Sequence, residues 1–408
     1  MKRDYTSIRL AVTSHCNLKC EYCHNAQHSN QKDDLTTEEI ITLVNNLKEH
    51  YDIKKVLLTG GEPLTKSDIC SIVYEISRLG IKADMVTNGT LITEEKLKAL
   101  ENAGLKRIRI SIDELNTETE VRGNSNPNEL WEKARMVKEK TNIELCIHTV
   151  CSPYNVRNLF EVYKKVLEIG AERWRVFDLG FQGDFVEKKN KFDLESYYYN
   201  LIQRTKEILH DYLMHNRKDV LEMEVNNIFR TAFLDMKEED YVKFDLQEEL
   251  SSRLEYSPCD YIASHQLSIR SNGMATLCQY FHNPIFDYKK VNFDISKAIE
   301  MRNSFEEDEI MMRDLPYCSK CKYCMVCNSG CRSRALFLTG DIHDADPGAC
   351  YLHQLVHKEI MSMLPDYVQS IYEGYINPNG LMPKYNTEDF RRILKEKVLM
   401  SIRKCTKF

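Results

Sequence analysis

Residues 8–23 read IRLAVTSHCNLKCEYC: a short β-rich run, a polar turn, and three cysteines, Cys16, Cys20 and Cys23, within eight positions. Thiols set directly after a strand lie on the loop leaving its C-terminal end, so the fold turns on whether more strands of the same kind follow. They do. β-rich runs recur at 55–59, 81–87, 107–112, 143–151 and 173–178, with helical patterns at 35–50, 67–79, 94–103, 128–140 and 155–169 between them. Thr36 and Glu39 form a capping-box pattern at the start of the first helix. Six strands joined by five crossover helices predict an α/β fold with a parallel sheet and right-handed connections. Curled, the six units make a partial (β/α)6 barrel whose strand C-terminal ends carry the chemistry.

With 408 residues the chain exceeds one ordinary core, which predicts two or three domains. The texture changes near Phe181. Stretches 192–216 and 221–254 are charged and helix-periodic, and Tyr197, Tyr198 and Tyr199 read as a helix packing face rather than a base-stacking platform. Runs 267–270 and 274–279 flank Ser271-Asn272-Gly273, a strong hairpin signal that puts Cys278 on the return strand. A short helix over 294–302, a thiol-dense loop over 318–331, a helix over 348–364 and a weaker helical pattern over 389–404 follow. The expected regions are a barrel core over 1–180, a helical bridging segment over 181–255, an irregular cysteine-rich domain over 256–355 and a helical tail over 356–408.

Hydrophobic content of 42% and charged content of 29% describe a globular chain, and a net charge of −6 argues against a basic nucleic-acid surface. No stretch reaches the eighteen apolar residues of a membrane span, and the N-terminal apolar run is too short for a signal peptide, so the cytoplasm is expected. Fifteen cysteines in a reducing compartment point to metal or redox chemistry rather than disulfides. Three open the chain, eight lie between Cys259 and Cys350, and Cys70, Cys146, Cys151 and Cys405 are scattered, as small buried or surface residues are. A [4Fe–4S] cube held by three thiolates keeps one iron open, the mark of a catalytic rather than a structural metal. In the second group, Cys318-x2-Cys321 and Cys327-x3-Cys331 would serve a zinc ribbon, which leaves Cys259, Cys278 and Cys350 idle.

CxxxCxxC after the first barrel strand resembles the radical S-adenosylmethionine (SAM) superfamily, in which SAM chelates the unique iron and is cleaved to a 5′-deoxyadenosyl radical. The resemblance implies Cys16, Cys20 and Cys23 as catalytic cluster ligands, with Tyr22 against the adenine. Gly60-Gly61-Glu62 after strand two resembles the motif that binds the SAM amino group. Asn88 after strand three, Ser111 and Asp113 after strand four, and Arg122 resemble its ribose and carboxylate contacts. Cys259, Gly273-x4-Cys278, the run from Cys318 to Cys331 and Cys350 resemble the SPASM domain, which houses two auxiliary [4Fe–4S] clusters. Carried over, Cys318, Cys321, Cys327 and Cys350 hold auxiliary cluster II, and Cys259, Cys278 and Cys331 hold auxiliary cluster I. Relatives with a fully ligated cluster I have an eighth cysteine after the first. This chain has His265 instead, which leaves an imidazole ligand, an open iron, the spare thiol of Cys324 or a plain surface histidine.

SPASM enzymes mostly crosslink side chains of ribosomally made peptides or oxidise a Cys or Ser of a sulfatase. Sulfatase-maturing relatives carry a base Asp after the second SPASM cysteine; Gln279 stands there and takes up no proton, which demotes that reading. The resemblance thus implies an oxidoreductase that modifies a precursor peptide, with three [4Fe–4S] clusters, SAM, and an electron donor such as flavodoxin or ferredoxin. Since the first strand begins by Ile8, a leader peptide is expected to dock on another surface or a partner, which keeps open an oxidase or decarboxylase of a small metabolite.

Overall fold

The computed structural model describes residues 5–25, 33–116, 122–178, 194–225, 228–230, 266–276, 278–280, 286–302 and 310–396, with isolated positions 234, 251, 254 and 284. Strands β1 (Ser7–Ala11), β2 (Lys55–Thr59), β3 (Lys82–Thr87), β4 (Arg107–Ser111), β5 (Glu144–Cys151) and β6 (Arg173–Asp178) pair in parallel in chain order. Helices α1 (Thr37–His50), α2 (Ile69–Arg78), α3 (Glu94–Asn102), α4 (Pro127–Lys140) and α5 (Leu159–Ile169) are the crossovers, in the predicted order. The capping box closes on α1: Glu39 N–H donates to Thr36 Oγ1 at 3.2 Å, and Thr36 N–H to Glu39 Oε2 at 2.8 Å.

Alternation along each strand separates two environments. Ile8, Leu10, Val56, Leu58, Met85, Ile108, Ile110, Leu145 and Ile147 join the helices in one apolar core. The alternate positions turn the other way and are mostly polar: Arg9, Lys55, Asp84, Arg107, Arg109, Glu144, His148, Arg173 and Arg175, with Leu57 and Cys146 among them. Asp84 holds three of them, Arg109 at 2.7 Å and Lys55 and Arg107 at 3.3 Å. The hollow of the sheet is therefore polar, unlike the aliphatic layers that fill a complete barrel.

Among the described residues the sheet runs past the six predicted strands to eleven. β7 (Glu222–Val225) adds parallel to β6, and β8 (Phe229–Arg230) turns back antiparallel. The helical expectation over 221–254 is corrected for 222–225 and 229–230, which are strand: Met223 and Val225 are buried on either side of Glu224, a period of two that high charge concealed; apart from positions 234, 251 and 254, residues 231–254 lie outside the described residues. Upstream, α6 (Leu194–Met214) is helical as expected, and Tyr197 and Tyr198 are buried on its packing face while Tyr199 is exposed. At the other edge β9 (Gln266–Ile269) pairs in parallel with β1, then β10 (Met274–Thr276) and β11 (Phe286–Asp287) follow antiparallel. The Asn-Gly hairpin is present, with Gly273 at φ +88°; its return strand ends at Thr276, so Cys278 lies just beyond the strand rather than on it.

The remaining helices are α7 (Ile295–Arg302), the single turn α8 (Cys324–Cys327), α9 (Arg332–Thr339), α10 (Pro347–Glu359), α11 (Asp366–Gly374) and α12 (Thr387–Glu396). Among the described residues no helix is long and apolar enough to cross a membrane.

Candidate functional site

The rim at the C-terminal ends of β1 to β4 is assembled by backbone contacts before any ligand is considered. Gly61 N–H donates to Thr13 O at 2.8 Å and Glu62 N–H to His15 O at 2.7 Å, so the turn after β2 lies flat on the segment leading into Cys16. A Cβ on Gly60 would stand 2.2 Å from Thr13 O, and one on Gly61 2.2 Å from His15 O. The two glycines thus serve a close approach of backbone to backbone. Asp34 ties the far end of the cysteine loop to its start, accepting from Ser14 N–H at 2.6 Å and Thr13 Oγ1 at 3.0 Å. Asn25 Nδ2 donates to Gly60 O at 3.0 Å.

Glu62 is fully buried at the centre of this rim. Its carboxylate accepts from Leu64 N–H at 3.0 Å, Thr87 Oγ1 at 2.7 Å and Asn88 N–H at 2.6 Å, joining the ends of β2 and β3. Burial pushes its pKa up against those three donors. Asn88 Nδ2 reaches Asn17 Oδ1 at 2.9 Å and Cys16 Sγ at 3.9 Å. Asp113 is buried after β4: Oδ1 accepts from Val150 N–H at 2.7 Å, and Oδ2 takes Arg122 Nη1 at 3.1 Å together with the Tyr22 hydroxyl. Arg122 Nη1 also donates to Tyr22 Oη at 2.9 Å. Tyr22, Asp113 and Arg122 therefore form one buried cluster beside the cysteines. Ser111 ends β4 half-buried, in register with His148 of β5.

Cys23 N–H donates to Cys20 O at 3.2 Å, folding the three thiols into one turn. Burial pushes Cys20 up to about 11, with the Arg122 charge opposing and the Cys23 and Cys16 thiols adding to the rise; Cys16 is raised as well. Among the described residues no three His, Cys, Asp or Glu side chains converge on a point that would hold one metal ion. Four thiolates on zinc would stand about 3.8 Å apart, as bonds of about 2.3 Å require. A cube takes its ligands at separate corners and needs no such convergence. The donor set fits it: three half-buried thiols with a buried guanidinium to offset thiolate charge, the Nε of Arg122 having no partner.

The second thiol group is built on α8, α10 and the loops around them. Asp346 caps α10, its Oδ1 accepting from Gly348 N–H at 3.0 Å, while its Oδ2 accepts from Cys331 N–H at 2.8 Å. Arg334 Nε donates to both Asp346 oxygens, at 2.8 and 2.9 Å, and its Nη1 reaches Asp178 at the end of β6 at 3.2 Å. The hydroxyls of Tyr197 and Tyr198 donate to the same Asp178, at 2.7 and 3.0 Å. A buried chain of charge thus fastens the cysteine-rich region to the barrel. A cavity of about 380 Å³, including its open mouth, is lined by Cys318, Cys321, Cys324, Cys327 and Cys350. Pro383 and Lys384 of the C-terminal tail line it too, Cys321 bridges Leu381, and Tyr317 Oη donates to Met382 O at 2.7 Å.

All four cysteines expected to hold cluster II thus line one cavity, with Cys324 as a fifth. Cys331 is not among the residues that line it. Cys278 is buried, and its neighbour Tyr280 packs edge-on against His24 at 5.4 Å between ring centroids, bringing the hairpin to the Cys16–Cys23 loop. Cys259 and His265 lie outside the described residues.

Residues 10–174 match the Radical SAM superfamily model. The chain carries a radical SAM domain. Over a longer span it is 26% identical to the AdoMet-dependent heme synthase of Methanosarcina barkeri across 370 residues, 84% of this chain and 96% of the relative. Two solved structures share the fold around the radical SAM domain. Streptococcus suis SuiB bound to precursor peptide SuiA gives a TM-score of 0.57 at 17% identity, covering 85% of this chain and 76% of that one. The anSMEcpe structure with bound AdoMet and Cp18Cys peptide gives 0.61 at 16% identity, covering 90% and 99%.

The functional scaffolding that sequence reading missed is Asn17, Asn25, Asp34, Asp178, Arg334 and Asp346. Each acts through partners tens to hundreds of residues away, which no local pattern announces.

Proposed function

We propose that this radical SAM enzyme oxidatively modifies a side chain of a ribosomally made peptide, forming a crosslink, thioether or C–C bond. When bound, SAM on a [4Fe–4S] cluster would supply the chemistry of hydrogen-atom abstraction. In this reading Cys16, Cys20 and Cys23 hold that cluster, and Gly60, Gly61, Glu62, Asn88, Ser111, Asp113 and Arg122 surround SAM, with Tyr22 beside the adenine. Cys318, Cys321, Cys327 and Cys350 hold one auxiliary cluster, and Cys259, Cys278 and Cys331, with His265 as a candidate fourth ligand, hold a second; these clusters take up the substrate electron, and an electron donor of the flavodoxin or ferredoxin type reduces the SAM cluster. Such partners place the enzyme in the cytoplasm.

The observation that carries this reading is the single cavity shared by the four cysteines assigned to cluster II. Its supports are fold-level: two structural neighbours are complexes with peptides. A second reading, a small anionic metabolite, is favoured by the charged hollow of the sheet. There Arg9, Arg109 and Arg175 surround His148, whose pKa is driven well below the ordinary value by burial first and these cations next. The similarity to a heme synthase over almost its whole length points the same way. Anaerobic incubation of the reconstituted protein with SAM and short peptides encoded beside its gene, followed by mass spectrometry, separates them. The peptide reading expects a product lighter by two hydrogens together with 5′-deoxyadenosine. Turnover of a carboxylated metabolite with every peptide left intact would overturn it.

A further inference from the structure

Arg332, at the start of α9, is completely buried. Its Nη1 donates to Ile342 O at 3.0 Å and Asp344 O at 2.6 Å, its Nη2 donates to Ser329 O, and its Nε has no partner. All of its acceptors are backbone carbonyls. The acids nearby are engaged elsewhere: Asp344 with Lys384 and Tyr385 Oη, and Asp346 with Arg334. A buried guanidinium without a counter-charge is costly, because carbonyl dipoles replace its hydration only in part. Its positive charge does act on Cys318, where it opposes the rise that burial imposes on that thiol. Ser329, which takes the Nη2 bond, lines the five-thiol cavity beside Cys318.

We infer that Arg332 is the built-in counter-charge of an anionic iron–sulfur cluster in the cavity of Cys318, Cys321, Cys327 and Cys350, and that it holds the reduction potential of that cluster up. The inference rests on the proposed auxiliary cluster. Four thiolates around a [4Fe–4S] core leave the oxidised cluster with a net negative charge, and reduction adds another. A fixed cation stabilises the reduced form more than the oxidised one, so it raises the potential. His353 also lines the cavity but brings no charge, since burial lowers it to about 4. Lys384 lies at the mouth, partly exposed and paired with Asp344, where solvent screens it. Arg332 is therefore a positioning residue for electrons, touching neither SAM nor substrate.

The test is an anaerobic redox titration of the iron-loaded full chain, followed by electron paramagnetic resonance, with Arg332→Gln and Arg332→Lys beside the wild type. Cys318→Ala/Cys350→Ala comes first: unchanged iron content in that variant means the cavity holds no cluster and the underlying reading fails, separately from the role of Arg332. With the cluster established, Arg332→Gln should cut its reduced-to-oxidised ratio at fixed poise at least tenfold, a downward shift of about 59 mV for one electron. Arg332→Lys, which keeps the cation but not the fork of donors, should titrate near the wild type. Failure of the Gln variant to load iron while the Lys variant loads also supports the counter-charge. An unchanged potential in Arg332→Gln, or the same defect in Gln and Lys, would make Arg332 a structural peg for the 329–344 loop and overturn the inference.

Discussion

Gly61→Ala separates two explanations of the Gly-Gly-Glu turn. The added methyl would sit 2.2 Å from His15 O, 2.5 Å from His15 C and 2.7 Å from Ser14 O, all main-chain atoms with no rotamer to change. Ordinary contact requires the two segments to separate by roughly 1 Å, which lengthens the Glu62 N–H bond to His15 O from 2.7 Å beyond useful range. Overpacking of this kind costs about 1–3 kcal/mol, and the lost hydrogen bond adds about 1 kcal/mol. A total near 3 kcal/mol corresponds to a fall in Tm of roughly 6–12 °C for a domain the size of the barrel. The assay is thermal unfolding of iron-free protein without SAM, read by circular dichroism. A ligand-only role for the glycine leaves that transition in place and weakens SAM binding alone. Iron-free Gly61→Ala melting with the wild type would refute the packing argument.

Two further predictions concern the thiols and their scaffold. Burial raises Cys20 to about 11, so at neutral pH it carries a proton that cluster assembly must expel. Iron loading of the Cys16–Cys20–Cys23 site should therefore strengthen as pH rises from about 6 to 9, by about tenfold per unit for each thiol that ionises; a flat loading curve would contradict this. Arg334→Gln strands Asp178 and Asp346 as buried acids without their cation, which should cost about 3–5 kcal/mol. Urea unfolding at the wild-type midpoint would show that the bridge from β6 to α10 carries no such weight.

The barrel was legible because its determinants are local. Period-two and period-3.6 patterns mark β1 to β6 and α1 to α5, and the Thr36–Glu39 capping box closes as its residue types require. Strand β7 escaped because only Met223 and Val225 show its alternation among charges, and a four-residue strand offers too short a window. The reach of the sheet to β9 could not be read either, since pairing with β1 joins residues some 260 positions apart, as Ser7 with Gln266. The grouping of Cys318, Cys321, Cys327 and Cys350 came from the SPASM resemblance, and these four line one cavity together with Cys324. The place of 381–384 along that cavity was not legible, because it depends on the pairing of Leu381 with Cys321 across sixty residues. Nothing in the sequence around Arg332 sets it apart, and its complete burial with only backbone carbonyls as acceptors marks it out.

Formation of 5′-deoxyadenosine by anaerobically reconstituted protein given SAM and a low-potential reductant, followed by liquid chromatography and mass spectrometry, bears most directly on the assignment of the radical SAM site to Cys16, Cys20 and Cys23. The wild type should release it, and Cys16→Ala/Cys20→Ala/Cys23→Ala should lose about four irons per chain and release none, because it removes the three thiolates whose cube leaves one iron open to the sulfonium. Continued 5′-deoxyadenosine production by that triple variant would contradict the assignment.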